Sequence, residues 1–350
     1  MHETHAHRHR VQVALRGREP DLVPVFDISE PGFEIKAWEH APQALPGSSI
    51  RLVSADLTAR YPLQILERDG DDVVQTTPNG CVARLSASGI NPPRILDCPL
   101  KTRSDWKPLA RRLETVPERV NRAAFAAACE EARSSGFYLA FSALAGFAAC
   151  AALTGTRQLI DLVSEDPSLV REVADTLADL LIGTVDLHLQ QGFGIDAVVL
   201  FDELAGGKGL LFPLERFREV FAPAYRRLSD FFHGCGMPVI GYSRGDLRLL
   251  LPDLLGAGLD CLGPIEVAAG MSLPFLKLNY GADMAFLGGI DRRALRCPDP
   301  TVLEREIGVK LSAAMVNGRY VAGFDGPLPR DLSAEQYARA FQLLQKHGRY

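Results

Sequence analysis

No window of the 350-residue chain approaches the roughly eighteen consecutive apolar residues of a membrane span. The opening MHETHAHRHR lacks the apolar core of a secretory signal. Basic charge is not in surplus: 38 Lys and Arg against 43 Asp and Glu give a formal charge of −5. That balance removes the electrostatic case for nucleic acid or an anionic membrane as a partner. No GxGxxG follows the first candidate strand. The glycines and lysine of AGGKG (205–209) lack P-loop spacing, so the segment reads as a mobile loop. Seven scattered cysteines fit free thiols in a reducing compartment. His2, His5, His7 and His9 read as a mobile, partly basic tail, not a metal site. A soluble cytoplasmic protein is the expectation.

What is present is an ordinary globular composition, 47% hydrophobic and 23% charged. From Phe137 onward short apolar runs alternate with amphipathic ones. FYLAF (137–141), DAVVLF (196–201), MPVIGY (237–242), LDCLGP (259–264), MAFLGG (284–289) and RYVAGF (319–324) are bounded by Gly, Pro or Asp and read as strands. Between them Asp166 before Pro167 and Asp299 before Pro300 are N-cap signals, and Ser333 with Gln336 is a capping box. Gly192, Gly258 and Gly318 close the preceding helices. Upstream, LVPVFD (22–27) and IRLVSADL (50–57) add two strands. Alternating strands and helices imply right-handed βαβ units on a parallel sheet, and eight such units predict a (β/α)8 TIM barrel. Residues 61–100 interrupt the pattern: period-two alternation around Asp69-Gly70 and Asn79-Gly80 predicts a small antiparallel β insertion. The expected organisation is an N-terminal tail and helix over 1–20, then one barrel domain over 21–350.

HGCGMPVIGYSRGD (233–246) shows where chemistry should gather. All strands of a parallel barrel point one way, and active sites collect at their C-terminal ends. His233 and Cys235 precede their strand and so belong to the opposite face, although their spacing resembles a metal-ligand pair. Tyr242, Arg244 and Asp246 follow it. The same rule collects Asp27 and Glu30, Asp202 and Glu203, Glu266, Asp291, and Asp325 with Arg330. Asp246 and Asp291 also suit helix caps. Polar groups from at least five strand ends converging on one mouth are what a barrel enzyme needs.

HRVQVALRGREPDLVPVFD, FPLERFREVFAPAYRRLSDFFHGCGMPVI, LLPDLLGAGLDCLGPIEVAAGMSLPFLK and YGADMAFLGGID together resemble the uroporphyrinogen decarboxylase-like superfamily. Nearly the whole chain is similar to its corrinoid (cobalamin)-dependent methyltransferase branch. The resemblance implies a (β/α)8 barrel and methyl transfer to or from the cobalt of a corrinoid, usually on a separate carrier protein. In thiol-methylating members a His-x-Cys-Gly and a later Cys-Gly hold a zinc ion that activates the thiolate. Here Tyr242, Arg244 and Asp325 stand at those positions. A permanently charged arginine has no lone pair to offer a cation, so zinc is not expected. The arginine-rich N-terminal segment of true decarboxylases is also missing near DISEPGFEIKAW.

The resulting expectation is transfer of a methyl group between a small non-thiol compound, such as a methoxylated aromatic, and a corrinoid. Tyr242, Glu203 or Glu266 would supply a proton to the leaving oxygen. Arg244 would bind an oxyanion or carboxylate, with Asp27, Asp202, Asp291 and Asp325 lining the substrate site. Arg244 and Asp325, replacing two ligands of one ion, should pair with each other, directly or through one water, with Tyr242 close by. Partners would be a corrinoid carrier protein and a small methyl donor or acceptor; a homodimer is compatible. The alternatives are a tetrapyrrole carboxy-lyase and a non-catalytic barrel that binds corrinoid or substrate.

Overall fold

The computed structural model describes residues 6–29, 44–70, 72–86, 93–329 and 331–350. Its strands in chain order are β1 (Ile50–Val53), β2 (Ile65–Asp69), β3 (Asp72–Thr76), β4 (Val82–Leu85), β5 (Arg94–Asp97), β6 (Tyr138–Leu144), β7 (Ala197–Asp202), β8 (Ala205–Gly206), β9 (Gly209–Leu210), β10 (Val239–Ser243), β11 (Cys261–Gly263), β12 (Ala285–Leu287) and β13 (Tyr320–Val321). Seven of them form a parallel sheet in the order β1-β6-β7-β10-β11-β12-β13.

Side-chain parity makes this sheet buried on both faces. In β7, Ala197 and Val199 point to one hydrophobic cluster and Val198 and Leu200 to another; in β12, Ala285 and Leu287 oppose Phe286 in the same way. The inner cluster is closed at the amino ends of the strands by Val11 and Leu15 of the helix Ala6–Leu15. That helix contains His7 and His9, so these two are not part of a loose tail; His2 and His5 lie outside the described residues. The outer cluster packs the sheet against helices, including the long Pro167–Gln190. Helix starts follow the expected caps: Asp166 accepts from Leu169 N (3.0 Å), Asp299 from Thr301 N (2.9 Å) and Ser333 from Gln336 N (3.1 Å).

The expectation of a closed (β/α)8 TIM barrel is overturned. The sheet is an open, curled half-barrel with edges at β1 and β13. The segment 22–27 makes isolated bridges, Val25 to Ala322 among them, and single hydrogen bonds such as Ser49 N to Val25 O, but no ladder. Pro24 sits in its middle with no N–H to give, and β13 offers only two residues to pair with. Because the seven strands remain parallel, their carboxyl ends still share one side.

The insertion is a four-stranded antiparallel sheet, β2-β3-β4-β5. Its register pairs Val82 with Asp97, which sets their neighbours Cys81 and Cys98 opposite each other, and these two form a disulfide. The expectation that all seven cysteines are free is therefore corrected; Cys129, Cys150, Cys235, Cys261 and Cys297 are free. AGGKG is not an unstructured loop but the β8–β9 hairpin.

Candidate active site

Each parallel strand ends at the same rim, and there the polar side chains divide into satisfied and unsatisfied ones. Asp202, the last residue of β7, is satisfied. Its Oδ1 accepts from Ala148 N (2.6 Å) and Glu203 N (2.7 Å), its Oδ2 from Phe147 N (3.2 Å) and the Tyr225 hydroxyl (2.7 Å). Four donors fill the acceptor sites of one carboxylate, so Asp202 holds the first turn of the helix Gly146–Thr154 and has no lone pair left for a substrate. Burial pushes its carboxyl up to about 7, with these hydrogen bonds opposing.

Asp325, following β13, is equally committed. It is 1% exposed, and accepts from Arg292 N at 3.0 Å and Val267 N at 3.1 Å. Burial raises its pKa, against those amides and the Arg292 guanidinium. Glu266, after β11, accepts from Gly245 N at 2.8 Å. Arg292 reaches both carboxylates, 4.0 Å from Glu266 and 3.9 Å from Asp325, and donates to Pro327 O at 2.9 Å. Two carboxylates and one guanidinium thus stitch together the loops after β10, β11, β12 and β13.

No direct hydrogen bond or ion pair joins Arg244 to Asp325; the residue that meets Asp325 directly is Arg292. The Arg244 stem passes Gly326, its Cδ 3.7 Å from where a Cβ would stand, and its guanidinium lies exposed. Arg292 went unrecognised in the sequence because Asp291-Arg292-Arg293 reads as a helix start. Asp291 does cap that turn, accepting from Arg293 N at 2.9 Å while its oxygens bind the Arg293 guanidinium, which lowers its pKa. Asp246 likewise binds Arg248.

Tyr242 is different. It is 7% exposed, packs at a tilt against Phe201 with ring centres 5.0 Å apart, and its hydroxyl makes no hydrogen bond among the described residues. Burial raises its pKa, and the Asp27 carboxylate adds to the shift while Arg244 and Arg292 oppose it. Glu203, the alternative donor, is exposed. Glu30 and Arg330 lie outside the described residues.

Asp27 is 4% exposed and thinly supported: Phe324 N donates at 2.8 Å, and the Tyr337 hydroxyl stands 3.4 Å away. Burial pushes its carboxyl up to about 7 from an ordinary 3.8. Folded Asp27 therefore keeps its proton to a higher pH than unfolded Asp27. Its stability contribution is full below pH 3.8 and lost as pH rises through 7. Asp27→Asn can keep both contacts without titrating. It should raise the unfolding free energy at pH 8 by up to about 4 kcal/mol and change it little at pH 4. Urea denaturation at the two pH values checks this; an equal effect at both would refute the buried-acid assignment.

His233 and Cys235 lie at the far end of β10. His233 Nε2 is 2.7 Å from Asp260 Oδ2, and that same oxygen accepts from Val239 N, the first amide of the strand. No group of three His, Cys, Asp or Glu side chains among the described residues could hold a metal ion.

Comparison with known proteins bears on this geometry in three ways. No curated protein matches the chain in sequence. Among solved structures, a methyltransferase from Methanosarcina mazei superposes with a TM-score of 0.65 at 14% identity, over 97% of this chain and 98% of that one. A solved KDPGal structure, at 15% identity over 66% of this chain and 89% of that one, reaches a TM-score of only 0.27 and carries no weight. The first likeness speaks for the fold alone. The family model for uroporphyrinogen decarboxylase (URO-D) matches residues 92–347, from the end of the β insertion through every later strand of the parallel sheet to the last helix. The chain belongs to the uroporphyrinogen decarboxylase family.

Proposed function

We propose that the protein is a corrinoid-dependent methyltransferase that moves a methyl group between the oxygen of a small non-thiol compound, such as a methoxylated aromatic, and the cobalt of a corrinoid brought by a separate carrier protein. One observation carries the reading. At a rim where Asp202, Asp325 and Arg292 are spent on the protein itself and Glu266 accepts from Gly245 N, Tyr242 and Arg244 make no hydrogen bond among the described residues, and the Arg244 charge acts on Tyr242.

A reduced corrinoid, when bound, would act as the nucleophile that takes up the methyl group. The methyl–oxygen bond breaks with its pair on oxygen. That oxygen is a poor leaving group unless protonated, and Tyr242, whose raised pKa keeps it protonated well above neutrality, gives it a proton. Arg244 neutralises charge on the oxygen or on a carboxylate of the same molecule. Leu144 and Leu249, 51% and 69% exposed at the rim, suit an apolar macrocycle or its carrier.

The test is incubation of the chain with reduced cobalamin and a panel of methoxylated compounds, following the corrinoid absorbance and the demethylated product. Family membership favours a second reading, decarboxylation of a tetrapyrrole, which requires carbon dioxide release from uroporphyrinogen without corrinoid. A non-catalytic binding protein would bind ligand and turn over nothing. With Tyr242, Arg244 and Asp325 at the mouth, and both Asp325 oxygens held by backbone amides, zinc should stay well below one per chain in protein lacking residues 1–10. Elemental analysis after dialysis decides; stoichiometric zinc lost on Asp325→Ala contradicts it.

A further inference from the structure

Among the described residues, two cations at the rim have no counter-charge. Arg248 is bound by Asp246 and Arg293 by Asp291, each at 2.6 Å, and Arg292 is shared between Glu266 and Asp325. Arg244 and Lys208 are exposed and make no hydrogen bond or ion pair among the described residues. They stand on elements locked to each other. Lys208 occupies the turn of the β8–β9 hairpin, whose strands pair Ala205 with Leu210 and Gly206 with Gly209. Asp246 N donates to Gly206 O at 3.0 Å, and Leu204 N to Ser243 Oγ at 3.1 Å, so the hairpin base is tied to the loop that carries Arg244.

Gly245 allows the close approach: its φ is +94°, and a Cβ there would stand 2.4 Å from Ala205 O. The tip is built oppositely. A Cβ at Gly207 or Gly209 would meet nothing within 4 Å, so the turn around Lys208 is unobstructed. Lys208 is the third residue after Ala205, which keeps its Cα within about 11 Å of that fixed contact. A rigid base beside Arg244 and a glycine-rich tip bearing a free ammonium is the layout of a strap over a bound anion.

We infer that Arg244 and Lys208 form a two-point clamp for an anionic substrate. Arg244 grips a carboxylate through two parallel N–H bonds, and Lys208 closes on it as a movable point charge. This rests on the methyl-transfer reading and narrows its substrates to methoxylated organic acids. Glu203, exposed just ahead of the hairpin, is an opposing charge on the same rim, and Glu203→Gln should tighten acid binding by about two- to threefold.

The experiment is calorimetric titration of the full chain with methoxybenzoates and methoxyacetate, each against its own primary amide, using wild type, Lys208→Gln and Arg244→Gln. Wild type should prefer each acid over its amide by at least about tenfold. Each variant should lose about tenfold for acids at both low and moderate salt while binding amides within about twofold. Wild type that binds acid and amide alike, or neither, overturns the clamp, as do variants that weaken both equally. Binding needs no turnover, so the two readings fail separately. Acid-selective binding lost in both variants, with no methyl transfer, keeps the clamp and removes the methyltransferase reading. Turnover of neutral methoxyarenes as fast as acids, with Lys208→Gln silent, does the reverse.

Discussion

Asp202→Ala should lower the unfolding free energy by about 3–5 kcal/mol at pH 7. The substitution strands the amides of Phe147, Ala148 and Glu203 and the buried Tyr225 hydroxyl. An unpaired buried donor costs roughly 1–3 kcal/mol, and release of a desolvated carboxylate offsets part of the sum. Its pKa, raised to about 7, fixes the sign of the pH dependence. The folded state holds the proton, so the wild-type contribution is full below the ordinary 3.8 and is lost as pH rises through 7. The penalty for Asp202→Ala should therefore be larger at pH 5 than at pH 8. Asp202→Asn should cost less, about 1–3 kcal/mol, since its amide oxygen can still accept from the Ala148 and Glu203 amides and its NH2 can donate to Tyr225, leaving only the Phe147 amide unpaired. Denaturation curves of the two variants separate the roles. If alanine and asparagine destabilise equally, or if both leave stability intact and weaken substrate binding, Asp202 is not the anchor described here. Gly146→Ala probes the same joint from the other side: its Cβ would press on Asp202 Oδ2 and its φ is +48°.

Tyr242→Phe should reduce methyl transfer by about 10²- to 10⁴-fold, the range for losing a positioned proton donor. Stability should stay within about 1 kcal/mol of wild type, because the hydroxyl has no partner among the described residues and the ring contact with Phe201 survives. The loss should appear in kcat with little change in KM, since a proton given to the leaving oxygen acts in the transition state. It should also shrink with substrates whose leaving group is already acidic, such as nitro-substituted anisoles. A variant that keeps its kcat on ordinary methoxyarenes excludes Tyr242 as the donor.

Much of this was legible in the chain. Strand positions from 137 onward, the caps at Asp166, Asp299 and Ser333, and the insertion around its two turns follow from local rules: period-two burial, side-chain acceptors at helix starts, glycine at φ above zero. Strand direction alone separated Tyr242 from His233 at opposite ends of β10. The likeness to the URO-D family was equally readable, because it rests on residue order along the chain.

Closure of the sheet was not legible in the same way. LVPVFD carries the composition of a strand, but whether it ladders depends on donors and on neighbours far away in sequence, and Pro24 beside the two-residue β13 leaves only isolated bridges. The disulfide between Cys81 and Cys98 needed the β4–β5 register. Which rim residues are free was likewise a matter of three dimensions. Sequence places Asp202, Asp325 and Arg244 alike, one after each strand. Only the folded chain spends both carboxylates on distant amides, gives Asp325 to Arg292, and leaves Arg244 and Tyr242 unpaired among the described residues, because hydrogen-bond partners are allotted by proximity in space, which spacing along the chain does not encode.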